Sequence, residues 1–468
     1  MPKYPENQNC VDAVYSQPIR VIYRGNPYIE ALPDVLNDKA LFHALLGPIP
    51  YDATERNLPW YERVECVGSL ANVFVPLGAN GEIARKIYSA IREGYVVRNP
   101  LSPEFIKRTK QLQECVINRD STFMTMANSN ANASGFTIVG ESGMGKTTAV
   151  NRAISLFPQL IIHKEYQGIA FDNVQIVWMR LECPFDGSVK GLCTSFFREF
   201  DRLTGDNTFA KFAGNGRATV DQMIPQMGLV SMRHGLGLLI IDEIQNLVKA
   251  KSWNADGMLA FINQLVNTIG QPILLVGIPT AIELLSSDLM TARRSTGRQG
   301  MTVMEPLAAD SPDWYAFTKG IWKYQWTKEE TPITPELQQA LWKASFGNID
   351  AAVNLYGEAQ RLAIRMGSQN HPEIITPQLI EAASKQKSFR MVFKSLEKDR
   401  KEQLKSAAQP KMAQHRQQMP ETVVDNVIPM ITKPALPKKR EKKKAVNTAG
   451  YVGMLMKDGH YVNANDEF

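Results

Sequence analysis

Eight consecutive residues carry the clearest chemistry in this chain. Gly140-Glu141-Ser142-Gly143-Met144-Gly145-Lys146-Thr147 fits the pattern G-x-x-x-x-G-K-[ST], with Thr148 directly after it. Glycines in such a loop let backbone N–H groups curl around phosphate oxygens without Cβ clashes, and a helix that starts at the lysine turns its positive dipole end toward them. Lys146 has the reach to bridge β- and γ-phosphates, and the Thr147 hydroxyl is a ligand for Mg²⁺. The motif requires a strand before it and a helix after it. Phe136–Val139 is a short apolar run, and Ala149, Val150, Ala153 and Ile154 follow at helical spacing. Residues 140 to 148 are therefore expected to bind ATP.

A second constellation begins where the apolar run Leu238–Ile241 ends in Asp242-Glu243. A buried strand that delivers two carboxylates at its C-terminal end suits nucleotide hydrolysis. Asp242 is expected to hold Mg²⁺ through water, and Glu243 to take a proton from the attacking water. On its own the pair would read as a helix cap in a loop; beside the glycine-rich loop, hydrolysis is the stronger reading. The run Thr291–Arg298 offers Arg293 or Arg294 as an arginine finger reaching a neighbouring subunit's γ-phosphate, worth about 10³–10⁵ in rate where such fingers act. The same spacing fits a solvated basic loop.

These residues need a scaffold. Phe136–Val139, Gln175–Met179, Leu238–Ile241 and Ile273–Val276 read as buried strands, with helical stretches such as Leu192–Leu203 between them, and that alternation means an α/β fold with a parallel sheet. After Pro306 the strand pattern gives way to helices over 316–324, 335–344 and 349–366, and another starting with Thr376 as cap and Pro377 in its first turn. The N-terminal stretch reads as a small module with a helix near Ile83–Ile91, broken by Pro100 and Pro103, and 121–134 reads as a polar linker. The expected division is an N-terminal module over 1–120, a nucleotide-binding core over 121–310, a helical lid over 311–390 and a flexible basic tail over 391–468.

The 468 residues are 44% hydrophobic and 21% charged, an ordinary globular balance. The formal charge of +6 is unevenly placed. Residues 385–444 hold 17 basic and 6 acidic side chains, whereas residues 1–384 sum to −3, which excludes a uniformly basic DNA-coating protein. Five scattered cysteines without a C-x-x-C pair argue against a zinc site and for a reducing, cytoplasmic setting. No apolar run reaches the ~20 residues of a membrane span.

Together, the glycine-rich loop, Asp242-Glu243-Ile244-Gln245, the Ala-Arg-Arg run and Gly347-Asn348-Ile349-Asp350 resemble the AAA+ family: an α/β P-loop NTPase with a helical lid, here with an N-terminal extension and a disordered C-terminal tail. Arg24–Pro33, Gly94–Pro100 and Gly187–Phe197 also resemble segments of the TnsC family, the ATPase regulators of multi-protein bacterial transposons, and the likeness runs from about residue 20 to 385. That family implies ATP-bound homo-oligomers, rings or spirals, around double-stranded DNA. They link a target-selection protein of the TnsD/TniQ type to the transposase TnsB and the endonuclease TnsA, and hydrolysis promotes disassembly. It also implies that Lys190, in Gly187-Ser188-Val189-Lys190, tracks the DNA backbone. Related ATPases place a polar sensor just after the strand ending at Gly277; here Ile278 stands there, so Thr280 substitutes or the sensor is missing. The basic tail, with Lys438–Lys444 followed by Tyr451–Met456, suits docking onto TnsA or TnsB, or serves only solubility. Two other readings remain: an ATP-binding switch adaptor with negligible turnover, and a helicase loader or replication initiator. The absence of a winged-helix-like pattern after the lid counts against an initiator.

Overall fold

The computed structural model describes residues 9–118, 135–214, 216–246, 265, 270–279, 300–367, 371–387 and 389. The expected linker, Thr280, Arg293, Arg294 and all of the basic tail lie outside the described residues. The chain opens with strand β1 (Cys10–Asp12) and helices α1 (Pro27–Glu30), α2 (Asp38–Leu45), α3 (Trp60–Cys66), α4 (Gly78–Val96) and α5 (Pro103–Asn118). The helix expected near Ile83–Ile91 is α4, whose Ile83, Ile87, Tyr88, Ile91 and Tyr95 are buried. Pro103 does not break the chain into loop. It is the first residue of α5, where a missing N–H loses no helical hydrogen bond.

The core follows as strand β2 (Phe136–Gly140), helix α6 (Lys146–Ile154), strands β3 (Leu160–Tyr166), β4 (Ile169–Ile176) and β5 (Trp178–Glu182), helices α7 (Val189–Thr204), α8 (Thr208–Phe212) and α9 (Val220–Arg233), and strands β6 (Leu238–Asp242), β7 (Ile273–Gly277) and β8 (Met301–Met304). Five strands form one sheet in the order β5-β6-β7-β2-β8, and every neighbouring pair is parallel. Side chains alternate between its faces. Leu238 and Ile240 pack with α4 and α6, whereas Leu239 and Ile241 pack with α7 and α9. With both faces covered, interior strands must be apolar at every position, which is why they stand out as short unbroken runs.

One expected strand divides. Gln175 and Ile176 end β4, and a new strand starts at Trp178, so the run Gln175–Met179 straddles two sheets. The second sheet is β1-β3-β4, with β3 and β4 antiparallel. Their turn places both Gln167 and Gly168 at positive φ, 51° and 77°, the geometry of a tight two-residue hairpin. His163 on β3 is fully buried between the Tyr15 hydroxyl at 2.8 Å and Gln175 at 2.9 Å, and burial pushes its pKa down to about 4.

The helical part comprises α10 (Pro312–Trp322), α11 (Pro335–Ser345), α12 (Ile349–Gly367) and α13 (Pro377–Ser384). Three of these begin alike, with Ser311, Thr334 or Thr376 capping a backbone N–H and a proline in the first turn. Trp314, Trp326, Leu355, Tyr356 and Ile380 form their shared core. Ile49, Val67, Leu70 and Leu77 join that core from the N-terminal stretch, while Tyr28, Leu41 and Ile83 join the sheet core. The first hundred residues thus pack as two contributions to two neighbouring cores, because their apolar side chains have no separate core to fill. Where the chain leaves one core for the other, Gly47 and Phe74 exchange two backbone hydrogen bonds of 3.0 Å.

Arg63 of α3 is almost fully buried and pairs twice with Glu373, one contact at 2.8 Å. Burial pushes the Glu373 carboxyl up, but Arg63 and the Lys328 N–H outweigh it and hold it below the usual carboxylate range. That contribution is present at neutral pH and is lost as pH falls through the ordinary carboxylate pKa toward the lowered value. Arg63→Ala, which strands Glu373, should cost about 3–5 kcal/mol in urea unfolding at pH 7. The gap between the two proteins should narrow in acid.

Candidate functional site

The glycine-rich loop runs from the end of β2 into α6. Gly143 and Gly145 have φ of 81° and 76°, left-handed values that favour glycine, and Gly145 is the cap from which α6 starts. A Cβ on Gly143 would also lie 2.7 Å from the Asn348 side chain, and one on Gly140 would lie 2.5 Å from the Met304 carbonyl. Met144 turns inward and is buried. Lys146 folds its Nζ over the loop, donating to the carbonyls of Gly140 and Glu141 at 2.8 and 2.7 Å. Burial lowers the pKa of that ammonium, and Asp242, Glu243 and Glu141 pull it partway back.

Asp242 ends β6 and is 3% exposed. Its Oδ2 accepts from the Thr147 hydroxyl at 3.0 Å and from Arg180 of β5 at 2.8 Å, and its Oδ1 accepts from the Glu243 N–H at 2.8 Å. Two hard oxygen donors, Thr147 Oγ1 and the Asp242 carboxylate, therefore converge from different elements, and that donor set suits Mg²⁺. Glu243 sits next to them with its side chain toward solvent and φ of 59°, unusual for a residue with a Cβ.

These groups share one cavity of about 390 Å³. Ser142 to Thr148, Asp242 and Glu243 line it together with the apolar Val73, Phe74, Val75, Phe317 and Val353 and the polar Asn80, Asp350 and Asn354. A lining that mixes loop donors and Lys146 with apolar walls suits a ligand that is part anionic and part apolar. The lid closes onto the loop at two points: Asn348 Nδ2 donates to the Ser142 carbonyl at 2.8 Å, and the Asp350 N–H donates to the Gly143 carbonyl at 3.0 Å.

Residues 130–285 match a family model described as an AAA domain. The core has the AAA+ P-loop fold. Outside the residues that the AAA domain model spans, the lid contact at Asn348 and the cavity wall at Phe74 complete the site. Among curated proteins, none matches the sequence. Similar solved structures include the ORC2 protein of Aeropyrum pernix in ADPNP–ADP complexes, 16% identical with a TM-score of 0.35, covering 59% of this chain and 66% of that one. Cdc6p from Pyrobaculum aerophilum is 14% identical with a TM-score of 0.35, covering 59% and 66%. The Walker-type ATPase PABY2304 of Pyrococcus abyssi is 14% identical with a TM-score of 0.36, covering 62% and 75%. The chain spans just under two thirds of the Aeropyrum and Pyrobaculum proteins.

Of the residues the sequence singled out, Ser142 to Thr148, Asp242 and Glu243 line one cavity, and Gly140 and Glu141 precede them at the end of β2. Ile278 lines the cavity with an apolar side chain. Lys190 lies apart, in the first turn of α7, with its Nζ donating to the Gly216 carbonyl at 2.8 Å. Sequence reasoning missed Arg180, Phe74 and the pairing of Asn348 with Ser142. A lone arginine within a strand, or a phenylalanine far upstream, gives no local sign of the partner it meets. Lys146→Ala should lower affinity for a non-hydrolysable ATP analogue at least tenfold and for ADP less, with an unchanged melting temperature. Calorimetric titration of both nucleotides would check it.

Proposed function

We propose that this chain is an ATP-hydrolysing regulator that assembles on double-stranded DNA and couples a target-selection protein to a transposase. One observation supports hydrolysis above all: Glu243 stands beside Asp242 at the mouth of the P-loop cavity, with the Thr147 hydroxyl 3.0 Å from Asp242. In the reaction a water oxygen bonds to the γ-phosphorus in line with the bond to the β-phosphate oxygen. That bond breaks, its electron pair leaves on ADP, and Glu243 accepts the water's proton. The glycine-rich loop and Lys146 balance charge on the phosphates, and Thr147 and Asp242 would hold Mg²⁺, which neutralises the phosphates when bound.

The assembly role rests on resemblance to the TnsC family. Arg24–Pro33 and Gly94–Pro100, two of the segments that carry it, touch through Asn26 and the Tyr95 carbonyl at 2.7 Å and through Asn99 and the Gly25 carbonyl at 2.9 Å. By the same resemblance Lys190 contacts phosphates. One lysine is a weak contact, but repeated around a ring it adds up and makes binding salt-dependent. Arg293 or Arg294 would act in a neighbouring subunit's site, and the tail would reach TnsA or TnsB.

Glu243→Gln should lower ATP turnover by about 10²–10⁴ and trap ATP-bound oligomers on DNA, seen by sizing chromatography and a phosphate-release assay. Turnover at the parent rate would remove Glu243 as the base, and a persistent monomer with DNA and a non-hydrolysable analogue would overturn the assembly reading. Lys190→Ala should weaken DNA binding and flatten its dependence on salt; unchanged binding would take Lys190 off the DNA.

A further inference from the structure

Strand β7 delivers no polar group to the cavity, because Gly277 is followed by Ile278. The polar group beside it comes from the neighbouring strand. Gln245, in the turn after β6, lines the same cavity and donates from Nε2 to the Glu243 Oε2. An ionised carboxylate only accepts hydrogen bonds, so the amide must present its NH₂ to Glu243 and turn its Oε1 the other way. That Oε1 is buried against Gly277 and finds no hydrogen-bond partner among the described residues. A Cβ on Gly277 would come within 3.0 Å of it and within 2.4 Å of the Ile244 side chain.

The backbone adds to the picture. Glu243 has φ of 59°, and the turn after it is pinned by the Ile244 N–H bond to the Val276 carbonyl and the Asn246 side-chain bond to the Cys183 carbonyl. A strained backbone and a buried acceptor without a partner both weaken the fold; the first falls on the proposed base itself and the second on the side chain that bonds it. Packing alone would be served by an apolar residue at 245; the arrangement needs an amide.

We propose that Gln245 is the positioning residue for Glu243, its amide holding the carboxylate in the orientation from which it takes the water's proton. This rests on the hydrolysis reading above. Gln245 stays neutral throughout and exchanges no proton; water's oxygen goes to the γ-phosphorus, the leaving pair to ADP and the proton to Glu243.

Single-turnover hydrolysis and binding of a non-hydrolysable ATP analogue, measured on the full chain, separate this role from packing. Gln245→Glu keeps the size of the side chain but removes the donor, and should slow hydrolysis at least tenfold with analogue affinity within twofold. Gln245→Ala should do the same, as should Gly277→Ala, which crowds an intact Gln245. In a Glu243→Gln background, Gln245→Ala should change the residual rate less than twofold, since nothing remains to position. Parent-like hydrolysis by Gln245→Glu overturns the proposal, as does an equal loss from Gln245→Ala in both backgrounds. If Glu243→Gln itself hydrolyses ATP at the parent rate, the underlying assignment of the base falls instead.

Discussion

The carboxylate of Asp242 is the constraint around which the rest of the site is arranged. A carboxylate 3% exposed at the end of a central strand must be compensated where it stands, since an uncompensated buried charge is strongly destabilising. Three donors from three places do so: the Thr147 hydroxyl on α6, the Arg180 guanidinium on β5 and the Glu243 N–H in the following turn. The helix that starts at the phosphate loop, the neighbouring strand and the residue after the carboxylate are thereby fixed relative to one another. Arg180 also reaches Asn151 of α6 at 2.8 Å, so the guanidinium ties β5 to that helix a second time.

Geometry of this kind works only on a sheet that does not shift. The interior strands are apolar on both faces, and β2 lies between β7 and β8, with its loop emerging at the C-terminal edge. Ligands in open parallel sheets gather at that edge, near the place where strand order reverses. The −3 charge of residues 1–384 agrees with a body that relies on local donors for phosphate and leaves the strong positive charge to its tail.

What was legible in the sequence was local. The glycine-rich loop is contiguous, and the strands of a doubly covered sheet are unbroken apolar runs, so both could be read without knowing the fold. The proline-led cap at Thr376-Pro377 gave α13 for the same reason, whereas the helix expected from 316 misses the like cap at Ser311-Pro312, and α10 begins four residues earlier. The hairpin of β3 and β4 was not legible, because Gln167-Gly168 is a weaker turn signal than Asn-Gly, and its strands carry polar residues such as His163 and Gln175 that bond only within the folded sheet. Arg180, Asn348 and Phe74 were invisible as site residues because their partners lie far away in sequence. The AAA domain model spans residues 130–285 and leaves the N-terminal stretch and the helical lid unaddressed.

The exchange of backbone hydrogen bonds between Gly47 and Phe74 has a further consequence. The buried apolar side chains between those two residues, with Val75 and Leu77 just after them, pack with the lid, while the chain up to Leu45 and from Ile83 packs with the sheet, and Phe74 itself walls the cavity beneath the Arg152 guanidinium of α6. The lid is therefore not an appendage on one tether: the chain from β8 to α10 joins it to the core, and the N-terminal excursion pinned where Gly47 pairs with Phe74 joins it again. A ligand lodged against that pairing touches both bodies and their joint together. Its binding energy is thus shared by the whole described chain, and the N-terminal stretch gains protection from a molecule that most of it never meets.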